Sequence, residues 1–112
     1  ALYGIQFNHD EASYKAESQS TVDEIAKALT ADPTMMLYIV GHTDDVGALA
    51  YNNDLSKRRA AAVVEALVTA GIDAARLTPI GIGPVAPVGS NDSEEGRALN
   101  RRVELVKRQS RQ

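Results

Sequence analysis

Apolar and polar residues alternate along the chain in patterns that predict strands and helices. Residues 2–7 alternate and predict a first strand, which ends in the polar segment 8–11. Residues 20–31 predict an amphipathic helix, because four apolar residues recur there at helical spacing. These are Val22, Ile25, Ala26 and Leu29. Pro33 should end this helix, since the residue before a proline disfavours helical geometry.

A second strand is predicted at residues 35–43. Its first six residues are all apolar, which indicates burial on both faces of a sheet. A long helix should follow from Asn52, its N-cap, to about Ala70, with Gly71 as the residue that ends it. The apolar stripe of this helix comprises Leu55, Val63, Ala66 and Leu67.

The remaining elements are predicted to be a strand at 77–83, a short helix at 94–99 and a last strand at 101–107. The order is βαβαβ(α)β. Crossover helices favour parallel neighbours among the first strands, and the last strand can pair antiparallel. We therefore predict a single α+β domain over residues 1–112, with a four-stranded mixed sheet and two main helices packed on one face.

Composition narrows the function without identifying it. The 112 residues have a net charge of −3 at pH 7, so no global field directs the protein to nucleic acid or anionic lipid. The basic run 97–111 is interpreted as a strand with a solvated tail. There is no cysteine, which excludes disulfides within this sequence. The chain starts at Ala1 without Met, and we expect it to be a fragment of a larger protein.

Two opposite charges are placed where a receptor for a zwitterion would need them. Asp44 follows the second predicted strand, and Arg59 lies about two turns into the next helix. A carboxylate and a guanidinium can hold a ligand that carries an ammonium and a carboxylate on one carbon. Planar arginine grips a carboxylate through two hydrogen bonds, which lysine cannot do.

Plainer interpretations of the same residues stay open. Asp44 could only close the turn at Gly47, and Arg59 could be a solvated helix residue. His42 could be imagined as a metal ligand together with His9, Asp10, Asp44 and Asp45. None of these residues has the helical spacing of a known zinc motif, so a histidine satisfied by backbone is favoured and no metal or cofactor is predicted.

Several ordered motifs run through most of the chain. They are Gly41-His42-Thr43-Asp44-x-x-Gly47, Tyr51-Asn52-x-x-Leu55-Ser56-x-x-Arg59-Ala60, Gly71-Ile72, Arg76-Leu77, Gly81-x-Gly83, Pro87, Asn91 and Gly96-Arg97-Ala98-x-Asn100-Arg101-Arg102-Val103-Glu104. In this order they resemble the OmpA-like (OmpA/MotB C-terminal) peptidoglycan-binding domain.

The resemblance implies a non-catalytic domain that binds the diaminopimelate residue of the peptidoglycan stem peptide. By carry-over from the family, Asp44 takes the ammonium and Arg59 the carboxylate. The family pocket is also lined at the positions of Val46 (through its backbone), Asn52, Asp10 and Arg101. Many members have Asp where this chain has Asn8, which changes the rim of the pocket.

The resemblance also implies a location in the cell envelope. We expect a periplasmic domain of a Gram-negative cell that anchors an envelope protein to the wall, attached to the outer membrane through a part outside this chain. A homodimer stays open. Two alternatives are a protein–protein or dimerisation module of a flagellar stator or secretion apparatus, and a metal-dependent amidase acting on the wall. We expect Asp44→Ala and Arg59→Ala each to leave the fold intact and to abolish pull-down with purified sacculi.

Overall fold

The computed structural model of the chain describes residues 4–108 and contains four strands and three α-helices in this range. The strands are β1 (Gly4–Gln6), β2 (Leu37–Gly41), β3 (Leu77–Gly81) and β4 (Arg102–Lys107). The helices are α1 (Gln19–Ala31), α2 (Leu49–Thr69) and α3 (Glu94–Asn100). Single 3-10 turns, Ala16–Ser18 and Ala74–Arg76, precede α1 and β3. The predicted α+β class and element order are confirmed.

The sheet is mixed and has the strand order β1-β4-β2-β3. Strand β2 pairs parallel with β3, as the crossover rule predicts, and β4 pairs antiparallel with both β1 and β2. The last strand therefore lies between the first two, so β1 and β2 are not neighbours. This central position brings the segment that precedes β4, including Arg101, next to the end of β2. There the backbone N–H of His42 donates to the carbonyl of Arg102.

One face of the sheet carries the hydrophobic core. Sheet residues such as Ile5, Ile39 and Val103 pack there against Leu29 of α1 and Val63 of α2. The opposite face is more open, and Tyr38 of β2 is 36% exposed there. The prediction that β2 is buried on both faces is thus wrong, because both main helices pack on the same side.

Helix α2 differs from its prediction at one end and agrees at the other. It begins at Leu49, so Asn52 is not its N-cap but lies inside its first turn. At the other end Gly71 has φ +102 and donates to the carbonyl of Val68, while Ile72 donates to Leu67. These bonds satisfy the last carbonyls of the helix, and the predicted terminal glycine is confirmed.

The other boundaries shift by a few residues. Strand β2 spans Leu37–Gly41 instead of 35–43, β3 ends at Gly81 and β4 begins at Arg102. Helix α3 extends to Asn100. The predicted strand residues Leu2 and Tyr3 lie outside the described part of the chain. None of the helices described between residues 4 and 108 has the length and hydropathy of a membrane span.

Two glycines allow α2 to approach the carboxyl ends of β2 and β3. Gly41 and Gly81 are register partners on these parallel strands. A Cβ atom on Gly41 would overlap the carbonyl of Ser56, and one on Gly81 would crowd Lys57. The close approach fixes the half of α2 that carries Arg59 against the strand ends.

Candidate functional site

Asp44 lies in the loop after β2 and is only 3% exposed. Its Oδ1 accepts a hydrogen bond from the Val46 amide at 3.1 Å, which closes a short turn. Its Oδ2 accepts from Nη1 of Arg101 at 3.2 Å. Asp44 therefore closes a turn, as the plainer interpretation holds, and also presents a charge that is paired within the protein.

Arg101 connects Asp44 to the surface. Its side chain is nearly buried, and its Nε donates to the carbonyl of Phe7 at 3.3 Å. Its Nη2 donates to Oε2 of Glu94, the first residue of α3, at 2.6 Å. The hydrogen bond with Glu94, supported by Asp44, raises the pKa of Arg101. The guanidinium is thus shared by one buried and one exposed carboxylate.

Arg59 is 1% exposed and donates to three backbone carbonyls. Its Nε reaches Glu11 at 2.8 Å, its Nη1 reaches His42 at 3.0 Å and its Nη2 reaches Asn8 at 2.9 Å. Its guanidinium carbon also lies 5.2 Å from the centre of the Phe7 ring. Burial lowers the pKa of Arg59 to about 10, an effect that nearby Asp44 opposes, so the side chain is charged at neutral pH.

Arg59 and Asp44 converge on the same end of the sheet without forming an ion pair. No nitrogen of Arg59 lies within 4.0 Å of the Asp44 carboxylate, although the structure describes both side chains. Instead, Arg59 binds the carbonyl of His42, two residues before Asp44. Its neighbour Arg58 is the solvated one and pairs with Asp54 at 2.8 Å.

The segment 8–11 covers this end of the sheet and is held there by Arg59. Asp10 has φ +59, a left-handed conformation that aspartate tolerates, and it accepts from the Tyr51 hydroxyl at 3.2 Å. Nδ1 of His9 lies 3.6 Å from Oδ2 of Asp44. His9 and Asp10 thus form the rim over the buried carboxylate.

Asn52 and Val46 meet on the other side of Asp44. The buried side chain of Asn52 donates from Nδ2 to the Val46 carbonyl at 3.0 Å, and the Val46 amide donates to Oδ1 of Asp44. Both backbone groups of Val46 are therefore occupied within the protein. Asn52 acts as a support for this loop, and the Val46 side chain is exposed.

All six predicted site residues lie at the carboxyl end of β2, within the contacts described above. Three residues of the same cluster were not among the predicted binding residues: His9, Tyr51 and Glu94. Tyr51 contacts Asp10 from 41 positions away, so local patterns carry no signal for that pair. Glu94 lies only seven residues before Arg101, about two helical turns, and this opposite-charge spacing is a local signal that could have been used. In residues 4–108, no three His, Cys, Asp or Glu side chains are grouped as metal ligands.

His42 is buried beside this cluster and faces a carboxylate. Its Nε2 donates to Oε1 of Glu104 at 2.9 Å, so the prediction of a backbone partner for its side chain is wrong. Its Nδ1, and Nη1 of Arg102, are buried without a hydrogen-bond partner in the described structure. Burial, and then the charge of Arg102, lower the pKa of His42 below its ordinary value of 6.5.

The depressed pKa of His42 predicts a loss of stability in mild acid. Below pH 6.5 the unfolded chain takes up a proton at this position, whereas the folded chain resists protonation. The free energy of unfolding therefore decreases as the pH is lowered. The slope contributed by His42 is at most about 1.4 kcal/mol per pH unit. Urea unfolding between pH 7.5 and 5 should show this slope. His42→Gln, which can still donate to Glu104, should remove it, and an unchanged slope would contradict the assignment.

A cavity of about 280 Å³ lies at the opposite end of the sheet. It is lined mainly by apolar residues of α1 and the strands, among them Ile25, Leu29, Leu37 and Leu105. Since Leu37 begins β2 and Asp44 follows its end, this cavity is separate from the charged cluster.

Comparison with known proteins places the chain in one family. The sequence profile of the OmpA family matches residues 6–101. Outer membrane protein A of Bordetella avium is 42% identical over 99 residues, which cover 88% of this chain and 51% of that protein. Peptidoglycan-binding protein ArfA of Mycobacterium bovis is 38% identical over 102 residues, which cover 91% of this chain and 31% of that protein.

A solved structure agrees with the fold as well. The peptidoglycan-associated lipoprotein of Burkholderia pseudomallei superimposes with a TM-score of 0.90 at 31% identity, and the match covers 94% of this chain and 89% of that one. The chain spans about half or less of the length of the two curated relatives, so it corresponds to one part of each of them.

Proposed function

The chain belongs to the OmpA family, and we propose that it binds peptidoglycan noncovalently and thereby anchors an envelope protein to the cell wall. Two kinds of observation support this proposal. One is its similarity to ArfA, which is named a peptidoglycan-binding protein, and to a peptidoglycan-associated lipoprotein. The other is the grouping of one buried carboxylate, Asp44, with two nearly buried guanidinium groups, Arg59 and Arg101, at one end of the sheet.

The ligand that suits these charges is the diaminopimelate residue of the stem peptide. Its side chain ends in one ammonium and one carboxylate on a single carbon. We assign the ammonium to Asp44, in the place next to the carboxylate where His9 now lies. We assign the ligand carboxylate to the two arginines, Arg101 and Arg59. Three of the five N–H groups of Arg59 donate to carbonyls, which leaves two for a ligand.

The other predicted residues shape the pocket around these charges. The Asn52 side chain donates to the Val46 carbonyl, and this hydrogen bond stabilises the turn that orients the Asp44 carboxylate. Asp10 lies on the rim and is held by Tyr51. We propose that these three residues position the segments on both sides of the ligand and that no bond of the ligand is broken.

The energetics favour modest affinity for one site. A hydrogen bond to a charged group contributes roughly 1.5–3 kcal/mol, and immobilising the peptide offsets part of that sum. Peptidoglycan presents many identical stem peptides, so a protein with several such domains would gain avidity. Rapid exchange at each site is compatible with a stable overall attachment to the wall.

The relatives also suggest where the domain acts. One is named an outer membrane protein and another a peptidoglycan-associated lipoprotein. We propose that this domain lies in the periplasm, where peptidoglycan is accessible, and that the parent protein is attached to the outer membrane through a part other than this domain.

Binding to two kinds of purified sacculi tests this proposal. Lysine-type peptidoglycan has an ammonium at the end of the same side chain but lacks the adjacent carboxylate. We expect the chain to co-sediment with diaminopimelate sacculi and to bind lysine sacculi at least about tenfold more weakly, because one charged contact is lost. Equal binding to both would exclude diaminopimelate recognition, and binding to neither would exclude peptidoglycan as the ligand.

A further inference from the structure

The outer edge of Arg101 is already occupied by a carboxylate of the chain itself. Glu94 meets the guanidinium through two contacts, Oε2 to Nη2 at 2.6 Å and Oε1 to Nη1 at 3.4 Å. This is the side-by-side arrangement that arginine adopts with any carboxylate. The Glu94 side chain is 62% exposed, whereas that of Arg101 is 6% exposed. An exposed surface acid thus lies against a nearly buried cation.

The remaining donors of Arg101 point inward. Its Nε donates to the carbonyl of Phe7, and its Nη1 also donates to Asp44. Because these partners are buried, a carboxylate arriving from solvent meets Arg101 at the edge where Glu94 lies. An incoming ligand must therefore share that edge with Glu94 or displace it.

We propose that Glu94 occupies the position of the ligand carboxylate in the free protein, and that peptidoglycan binds by displacing it. This inference rests on the proposed function. Binding then exchanges one carboxylate for another at Arg101, so the gain from this contact is smaller than it would be at a guanidinium that Glu94 does not occupy. A neutral carboxamide could not replace the charge of Glu94, so the ligand should need a free carboxylate.

Glu94 also pairs with Arg97 of the same helix at 3.4 Å, but the cap of the helix is independent of Glu94. Helix α3 is capped by the Ser93 hydroxyl, which accepts from the Gly96 amide at 3.1 Å, and this bond does not involve Glu94. The neighbouring Glu95 provides a matched control. It lies in the same first turn of α3 and is exposed, and it makes no ion pair within the described residues.

The test compares the binding of a soluble disaccharide–peptide containing diaminopimelate to the wild-type chain, Glu94→Gln and Glu95→Gln. Calorimetry at low salt would give the dissociation constants. Both variants change the net charge by the same amount and weaken the same helix dipole interaction. We expect Glu94→Gln to bind roughly threefold to tenfold more tightly than wild type, and more tightly than Glu95→Gln, because only Glu94 competes for Arg101.

Each outcome decides the proposal. Tighter binding by Glu94→Gln alone supports it, including the case in which only this variant binds measurably. Equal effects in the two variants would show a long-range charge effect, and weaker binding by Glu94→Gln would show that Glu94 positions Arg101. Either result overturns the displacement of Glu94 and leaves peptidoglycan binding intact. No binding by any of the three proteins overturns both proposals.

Discussion

Asp44→Asn should weaken binding to diaminopimelate sacculi by about 100-fold while the domain stays folded. Asparagine has nearly the same shape, and its side-chain oxygen can still accept the Val46 amide that now binds Oδ1. The charge that we assign to the ligand ammonium is lost. In its place an amide group would meet Nη1 of Arg101, which is also a donor. The predicted loss therefore combines a missing attraction with a new mismatch.

Asp45→Asn is the control for this variant. Asp45 is the next residue, carries the same charge and is exposed. Both variants change the net charge equally, so long-range attraction to the wall changes by a similar amount. Co-sedimentation over a range of protein concentrations gives the affinity, and circular dichroism checks the fold. If Asp44→Asn and Asp45→Asn bind alike, Asp44 is not the ammonium contact.

Arg59→Ala should lower the free energy of unfolding by about 3 kcal/mol or more, because one buried and two partly buried carbonyls lose a charged donor. The carbonyls of Asn8, Glu11 and His42 would be left without this partner, and the face of Phe7 would be uncovered. Small domains have unfolding free energies of about 5–15 kcal/mol, so the variant should be marginal. This structural argument revises the expectation from sequence that Arg59→Ala leaves the fold intact.

Arg58→Ala is the control, because it removes an arginine from the same helix without removing the carbonyl contacts of Arg59. Arg58 is exposed and contacts Asp54 one turn earlier, a surface pair that contributes at most about 1 kcal/mol. Urea unfolding followed by circular dichroism gives both free energies. A stability loss at Arg59 no larger than that at Arg58 would mean that the three carbonyl bonds contribute little. Binding by Arg59→Ala should be measured only where the variant is folded.

The Arg59 variant also bears on the site. If the loop 8–11 is held mainly by Arg59, its release should expose Asp44, which His9 now approaches to 3.6 Å. Arg59→Lys retains the charge but has a single donor group in place of the planar fork. It should therefore recover part of the stability of Arg59→Ala without restoring all three carbonyl bonds.

Local sequence signals were sufficient to predict the type and order of the helices and strands. The spacing of Val22, Ile25 and Leu29 predicts α1, since a helix places these residues on one face. Gly71 predicts the end of α2, because its left-handed backbone is accessible to glycine at little cost. The ordered motifs around Asp44 and Arg59 identified the family, and the family profile matches the same region.

The tertiary structure decided what each charged side chain contacts. The sequence could not show that β4 enters between β1 and β2, because strand order depends on packing among elements distant in the chain. That insertion brings Arg101 to Asp44, 57 positions away. Arg59 donates to three backbone carbonyls instead of to Asp44. Asn52 shows the same limit at shorter range: its type suits an N-cap, but α2 begins at Leu49 and Asn52 turns inward to Val46. Residue patterns report local geometry, whereas the partner of a buried charge depends on which chain segments the fold brings around it.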